Sequence, residues 1–175
     1  ASINVNGQSL TLVYVDATEG WINVQNTEDA ETGLPPYLEA TGGTITTVCS
    51  DYKLHTFTGP GTFQVTAVSS VAARNTVGYV VIAGGAGGGA RYAAGGGAGG
   101  YREGRNVPVD NFTASPLVAN APTNAITVTT TSYPITVGGG GAGTPAPAGT
   151  PKQGGPGNNS SFSTITSAGG GGGGG

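Results

Sequence analysis

The chain contains 175 residues, of which 35 are glycine and 11 are proline, and only 9% are charged. The low charge excludes a disordered chain expanded by charge repulsion, and a net charge of −3 argues against the basic surface that nucleic acids require. A single cysteine excludes an intrachain disulfide and a cysteine-based metal site. No apolar run is long enough to cross a membrane as a helix, so we expect no membrane insertion.

The chain is poor in charge and also in large aliphatic residues. Such a chain can be ordered when backbone hydrogen bonds and neighbouring chains supply what its own core lacks. We therefore expect a homo-oligomer, with a loosely ordered monomer as the alternative. Methionine is absent even at position 1, which leads us to expect a processed segment or a piece of a longer chain.

Short β-strands separated by turns are predicted along the first 70 residues. Apolar runs and alternating patterns predict a hairpin over residues 10–24, strands at 37–40 and 44–49 around Gly42 and Gly43, and a hairpin of strands 52–57 and 63–68 joined at Gly59-Pro60-Gly61. The acidic segment 25–36 contains two prolines and is predicted to be a solvated loop. The lone Cys49 is expected to be a small buried side chain.

Strands that run directly into glycine are predicted in the second part of the chain. They cover residues 77–83, 133–137 and 162–165, and glycine tracts follow at 84–100, 138–143 and 169–175. A further strand is predicted at residues 126–131. The run Val80, Val81, Ile82 does not alternate, which predicts burial on both faces of its strand. No amphipathic helix of useful length is predicted, so the fold class is all-β.

Polyglycine has no side chain to bury and loses much conformational entropy when it is ordered. It can be ordered if its peptide groups bond sideways to neighbouring tracts in an extended threefold helix close to polyproline II. Flexible linkers are the alternative. Because Tyr92 and Tyr101 interrupt tracts that contain alanine and little serine, we favour packed tracts.

Three features that superficially indicate chemistry are given structural interpretations. Gly85-x-Gly87-x-x-Ala90 follows a strand, but a dinucleotide site needs a helix that begins inside the motif. His55 lies in an alternating strand and is interpreted as a structural histidine. The acidic residues Glu28, Asp29 and Glu31 lack a calcium-loop pattern. We therefore predict no catalytic residue, no metal ligand and no cofactor.

Five blocks of sequence, taken in their order along the chain, resemble blocks of a known family of domains. They are residues 52–63, 79–85, 95–103, 133–139 and 162–169. Together they resemble the glycine-rich domain of bacteriophage tail fibres and related virion proteins, and residues 12–21 resemble the β-rich module that often precedes it. The resemblance implies an elongated virion fibre or adhesin, commonly a homotrimer, that faces the host. It carries over no catalytic residue.

The predicted organisation is a short β-hairpin fibre module, residues 1–48, followed by a glycine-rich domain, residues 49–175, that resembles a β-sandwich with extended polyglycine segments. Leu12, Tyr14 and Trp21 are predicted to pack between chains, because an isolated hairpin cannot bury them. Tyr92, Tyr101 and Arg102 are predicted to contact a host glycan or surface protein, since aromatic rings and arginine suit binding surfaces. Packing of the tyrosines between glycine tracts is the alternative.

The sequence thus predicts a non-enzymatic structural protein of the virion, a tail-fibre segment that contributes to attachment to the host surface. A closed trimer is favoured, and the location is the virion or the extracellular space. The alternative function is a subunit that self-assembles into an extracellular or virion-surface filament, or that decorates a capsid. An enzyme such as a depolymerase is a third hypothesis.

Overall fold

The computed structural model describes residues 11–14, 17, 21–23, 35–49, 52–90, 94–105, 124–145 and 152–175. These residues form β-strands and one 3₁₀ turn at Ala72–Arg74, which confirms the predicted all-β class. The strands are β1 (Leu12–Tyr14), β2 (Trp21–Asn23), β3 (Glu39–Thr41), β4 (Thr44–Val48), β5 (Tyr52–Thr56), β6 (Gly61–Ala67), β7 (Thr76–Val77), β8 (Tyr79–Ile82), β9 (Tyr101–Gly104), β10 (Ile126–Thr127), β11 (Ser132–Thr136), β12 (Ser160–Phe162) and β13 (Ile165–Ser167).

Strands β1 and β2 form a separate two-stranded antiparallel ribbon in which Tyr14 is directly opposite Trp21. This confirms the hairpin predicted at the start of the chain. Val13 and Tyr14 are both exposed, the latter at 52%. Residues 25–34 of the predicted acidic loop lie outside the described residues.

Strands β3 to β6 form one long hairpin that is bent in the middle. Strand β4 pairs with β5 from Thr44–Thr56 to Val48–Tyr52, and β3 pairs with β6 beyond the bend. The predicted hairpin between β5 and β6 is therefore wrong, because Gly59-Pro60-Gly61 turns a corner and does not reverse the chain. Strand β4 ends at Val48, where the boundary between the fibre module and the glycine-rich domain was predicted. It is hydrogen-bonded to β5, which lies beyond that boundary.

The tip of this hairpin follows β4. Cys49 begins it with a φ of 52°, in the left-handed region that turns use, and its side chain is exposed. The expectation that Cys49 is buried is therefore wrong. An alternating strand pattern cannot tell a last strand residue from the first turn residue.

Glycine is required where the bent hairpin turns its corner. Gly42 has a φ of +106° and Gly43 a φ of +66°, and the ring of Phe57 packs against both. His55 Nδ1 lies 2.8 Å from the carbonyl oxygen of Gly42, and its ring meets Phe63 edge-on with centroids 5.0 Å apart. The only histidine thus holds the corner onto the core, which is a structural position.

We expect Gly42→Ala to lower the free energy of unfolding by about 2–3 kcal/mol, because alanine rarely adopts this φ and its Cβ would overlap the carbonyl oxygen of Thr62. Gly59→Ala in the same corner is the control, since a Cβ there meets nothing within 4 Å. Urea unfolding followed by circular dichroism measures both changes. Equal midpoints for the two variants would contradict this account of the corner.

The main sheet has five strands in the order β13-β12-β11-β6-β3. Strands β12 and β13 are joined by a two-residue turn at Ser163 and Thr164, where Ser163 has a φ of 53°. The single strand predicted over residues 162–165 is therefore wrong. Strands β8 and β9 form a second antiparallel layer that lies against β12 and β13.

The core lies between these two layers. Its buried side chains are Phe63, Val65, Val81, Val128 and Phe162. The ring of Phe162 is central, because its centroid lies 6.0–6.2 Å from those of Phe63, Tyr79 and Tyr133 in tilted or edge-to-face geometry. Such pairs add about 0.5–1.5 kcal/mol each beyond area burial.

Strand β8 buries only one of its faces. Val81 points into the core and is 9% exposed, whereas Val80 is 57% and Ile82 60% exposed. The prediction that this strand is buried on both faces is therefore wrong. Nothing among the described residues covers the outer face at these two side chains.

Candidate functional site

Five glycine-rich tracts continue the strands of the two layers. Tract 1 (residues 83–90) follows β8 and tract 2 (94–100) precedes β9; tract 3 (138–145) follows β11, tract 4 (152–159) precedes β12 and tract 5 (168–175) follows β13. This confirms the predicted sequence of strand and then glycine. The tracts are therefore held in place at one end by the packed sheets.

Tract 1 donates hydrogen bonds to two neighbours in a strict order. The N–H groups of Gly84, Gly87 and Ala90 donate to carbonyls of tract 4 over 2.9–3.0 Å. The N–H groups of Ala83, Ala86 and Gly89 donate to carbonyls of tract 2 over 2.8–3.1 Å. Each set recurs every third residue, which is the repeat of the extended threefold helix.

The carbonyls of tract 1 face two further neighbours. Gly85 and Gly88 accept from tract 3, whereas Gly84 and Gly87 accept from tract 5. The outer tracts are bonded to one another in the order 2, 5, 4, 3, again at three-residue spacing. They form a ribbon that wraps around tract 1. This confirms the prediction that the glycine tracts pack together by main-chain bonds.

Glycine is needed in the bundle for close approach and not for an unusual backbone angle. The described tract residues do not adopt positive φ. A Cβ on Gly87 would overlap the carbonyl of Ala142, and one on Gly157 would overlap that of Gly84. The interior of the bundle is thus peptide against peptide.

Side chains in the tracts follow the same three-residue repeat. In tract 4 the positions Gln153, Pro156 and Asn159 are exposed, whereas Gly154 is buried and Gly157 half-buried. This spacing is visible in the sequence as Lys-Gln-Gly-Gly-Pro-Gly-Asn-Asn, and it was the signal that could have located the inward face. Asn159 also accepts a hydrogen bond from the N–H of Gly169 in tract 5 at 2.9 Å.

One side of the bundle keeps glycine where there is room for a side chain. It comprises Gly85, Gly88, Gly140 and Gly143, which we term the open glycine face. A Cβ on these residues would meet its nearest atom only at 3.5–3.9 Å, and all but the half-buried Gly88 are exposed. The N–H groups of Gly85 and Gly88 make no hydrogen bond within the described ranges.

The residues predicted to contact a host surface are not brought together in the described part of the chain. Tyr101 and Arg102 are neighbours in β9, so they project to opposite faces of that strand. The Tyr101 hydroxyl donates to Glu103 Oε2 at 2.8 Å. Tyr92 lies outside the described residues. Their contact role stays a prediction.

Burial raises the pKa of the Tyr79 hydroxyl, and the charge of Arg102 opposes this in part. The described residues contain no group of three or more His, Cys, Asp or Glu side chains that could hold a metal ion. Glu28, Asp29 and Glu31 lie outside them.

One other interpretation of the sequence is tested by the fold. Residues 85–90 are extended and bonded to neighbouring tracts, and no helix begins there, so the apparent dinucleotide motif is part of the bundle. Among the residues with described structure, we find no helix with the length and apolarity that a membrane crossing requires.

Residues 57–175, about two thirds of the chain, match a family model described as a glycine-rich domain. The match begins just before β6 and includes all five tracts. No curated protein matches the chain. No solved structure matches it either.

Proposed function

Because the chain belongs to the glycine-rich domain family, we propose that it is a structural and adhesive segment of a bacteriophage tail fibre that contributes to attachment at the host surface. The observation that carries the proposal is the bundle of five tracts bonded every third residue. Such a bundle adds a stiff extension to a small sandwich, and its glycine-rich interior carries few side chains that could act in catalysis. The order of the sequence blocks over residues 52–175 supports the link to virion fibres.

The proposal includes a homotrimer joined through the β1–β2 ribbon. A two-stranded ribbon is marginally stable by itself, and here it exposes Val13 and Tyr14. Pairing of these ribbons between chains would cover the apolar positions, with Leu12, Tyr14 and Trp21 as the predicted contacts. The host-facing partner would be a glycan or a surface protein, and the chain would act in the virion or outside the cell, without a catalytic step.

Multi-angle light scattering of the purified chain tests the trimer. We expect three times the chain mass of 16.9 kDa, and we expect Tyr14→Asp to bring the mass down to that of one chain. Ala17→Asp is the control, because it adds the same charge in the exposed turn after β1. A mass of 16.9 kDa for the unaltered chain at every concentration would refute the trimer.

A second candidate function is a self-assembling filament or capsid decoration. The open glycine face favours it, because unpaired N–H groups at three-residue spacing are the donors that a further glycine tract would use. Electron micrographs of the purified chain separate the two functions. Fibres of unlimited length would indicate an open assembly, since a closed trimer cannot produce them.

A further inference from the structure

An aromatic side chain is held out in solvent at the start of the main sheet. Tyr37 precedes β3 and is 68% exposed, the highest exposure among the large apolar and aromatic side chains of the described residues. The guanidinium of Arg74 lies over its ring, 5.0 Å from the centroid. One ring face is therefore covered by a cation, and the other faces solvent.

The segment that carries Tyr37 is rigidly built. The carbonyl of Pro36 accepts from Ser69 Oγ at 2.8 Å and from Arg74 Nη1 at 2.9 Å. The carbonyl of Pro35 accepts from the N–H of Ser70 at 3.3 Å. Two successive prolines further restrict the backbone before the ring.

The opposite loop is equally well fixed. Ser69 is only 3% exposed, and both its N–H and its carbonyl are bonded by the side chain of Asn75, at 2.7 and 3.0 Å. The hydrogen bonds from Ser69 and Arg74 to Pro36 join residues 33 and 38 positions apart in the chain, and the neighbouring Leu38 and Val68 pack against the core. An exposed ring fixed in this way loses little entropy when a ligand binds it.

We propose that Tyr37 and Arg74 form a carbohydrate-binding site, in which the apolar face of a pyranose ring stacks on the free face of Tyr37. A carboxylate on the same sugar accepts a hydrogen bond from the guanidinium N–H groups of Arg74 that Pro36 does not use. Arg74 takes part in no ion pair within the described ranges, so its charge is available to an acidic sugar. The site deepens the proposed host-attachment function and rests on it for its biological setting.

An acidic glycan fits this site better than a proline-rich peptide. Recognition of proline-rich segments uses a groove lined by several aromatic rings. Among the described residues no second ring packs on Tyr37, and the cation beside it favours an anion. A peptide that shifted the Tyr37 signals more than an acidic sugar would therefore overturn the choice of ligand.

The test is a nuclear magnetic resonance titration of the full chain with trigalacturonate, an acidic pyranose trimer, and with neutral maltotriose. We expect trigalacturonate to shift the Tyr37 ring and Arg74 guanidinium signals, and maltotriose to bind at least about fivefold more weakly. Tyr37→Phe should retain binding, whereas Tyr37→Ala should weaken it at least about tenfold. Arg74→Gln should remove the preference for the acidic sugar, because glutamine carries no positive charge to attract the carboxylate.

Tyr52→Ala is the matched control, because it removes another exposed tyrosine, in β5, and leaves the stacked pair of Tyr37 and Arg74 in place. We expect it to leave the affinity unchanged. The absence of a Tyr37 shift with either sugar, or equal losses in Tyr37→Ala and Tyr52→Ala, would overturn the site. The mass measured by light scattering is independent of both outcomes, so a failed site and a failed trimer are distinguishable.

Discussion

Gly170→Ala is expected to lower the free energy of unfolding by about 3 kcal/mol, at the upper end of the usual effect of overpacking. A Cβ at this position in tract 5 would overlap the carbonyl oxygen of Gly97 and lie 2.9 Å from that of Ala98. Both belong to the backbone of tract 2, which cannot move aside without breaking its bonds to tract 5. Thermal unfolding should show a midpoint lower by roughly 10 °C.

Gly171→Ala, at the next residue, is the matched control. A Cβ there meets nothing within 4 Å, so we expect stability to be unchanged or raised by up to about 1 kcal/mol, because alanine restricts the unfolded chain. Similar losses for the two variants would show that tract 5 is not packed in the described order. Amide exchange of Gly97, whose N–H donates to Gly171, reports on the same bond directly.

Phe162→Ala is expected to cost about 3–5 kcal/mol, the usual range for removing a buried aromatic side chain. Its ring contacts three other rings of the core and is 8% exposed. Tracts 4 and 5 are attached to β12 and β13, so loosening these strands should also speed amide exchange at Gly157 and Gly170. Val80→Ala, on the exposed face of β8, should change stability by no more than about 0.5 kcal/mol.

For Phe162→Ala, the denaturation midpoint and the amide exchange rates together show whether the sandwich stabilises the glycine bundle or only itself. If the denaturation midpoint falls while the amides of Gly157 and Gly170 keep their protection, the bundle is stable without the sandwich. That result would contradict the view that the sheets set the register of the tracts. Hydrogen exchange measured by nuclear magnetic resonance gives the amide rates.

Local pattern predicted the strands well and their partners less well. The hairpin at the start was predicted because both strands and the turn lie in one short segment. The pairing of β5 with β4 was missed because Gly59-Pro60-Gly61 is a turn signal wherever it occurs, and the bend depends on Gly42 and Gly43 across the hairpin. Only the three-dimensional position of the opposite strand distinguishes a corner from a reversal.

Burial and binding positions were harder to predict. Val80 and Ile82 were expected to be buried because three successive aliphatic residues usually have both faces covered, yet the second layer here has only two strands. Tyr37 and Arg74 were not predicted as site residues, since they are far apart along the chain and neither lies in a motif. The packed tracts were predicted from their composition, because ordered polyglycine has few other ways to satisfy its peptide groups.

The three-residue repeat of the tracts has a mechanical consequence. A threefold extended helix rises about 3.1 Å per residue, and a fully stretched chain reaches only about 3.3–3.6 Å. A pulling force along the bundle axis can therefore lengthen a tract by only about a tenth. Further extension requires the tract to slide past its neighbours, which loads several of its lateral hydrogen bonds in shear at the same time. An α-helical rod, which rises about 1.5 Å per residue, would more than double its length under the same tension.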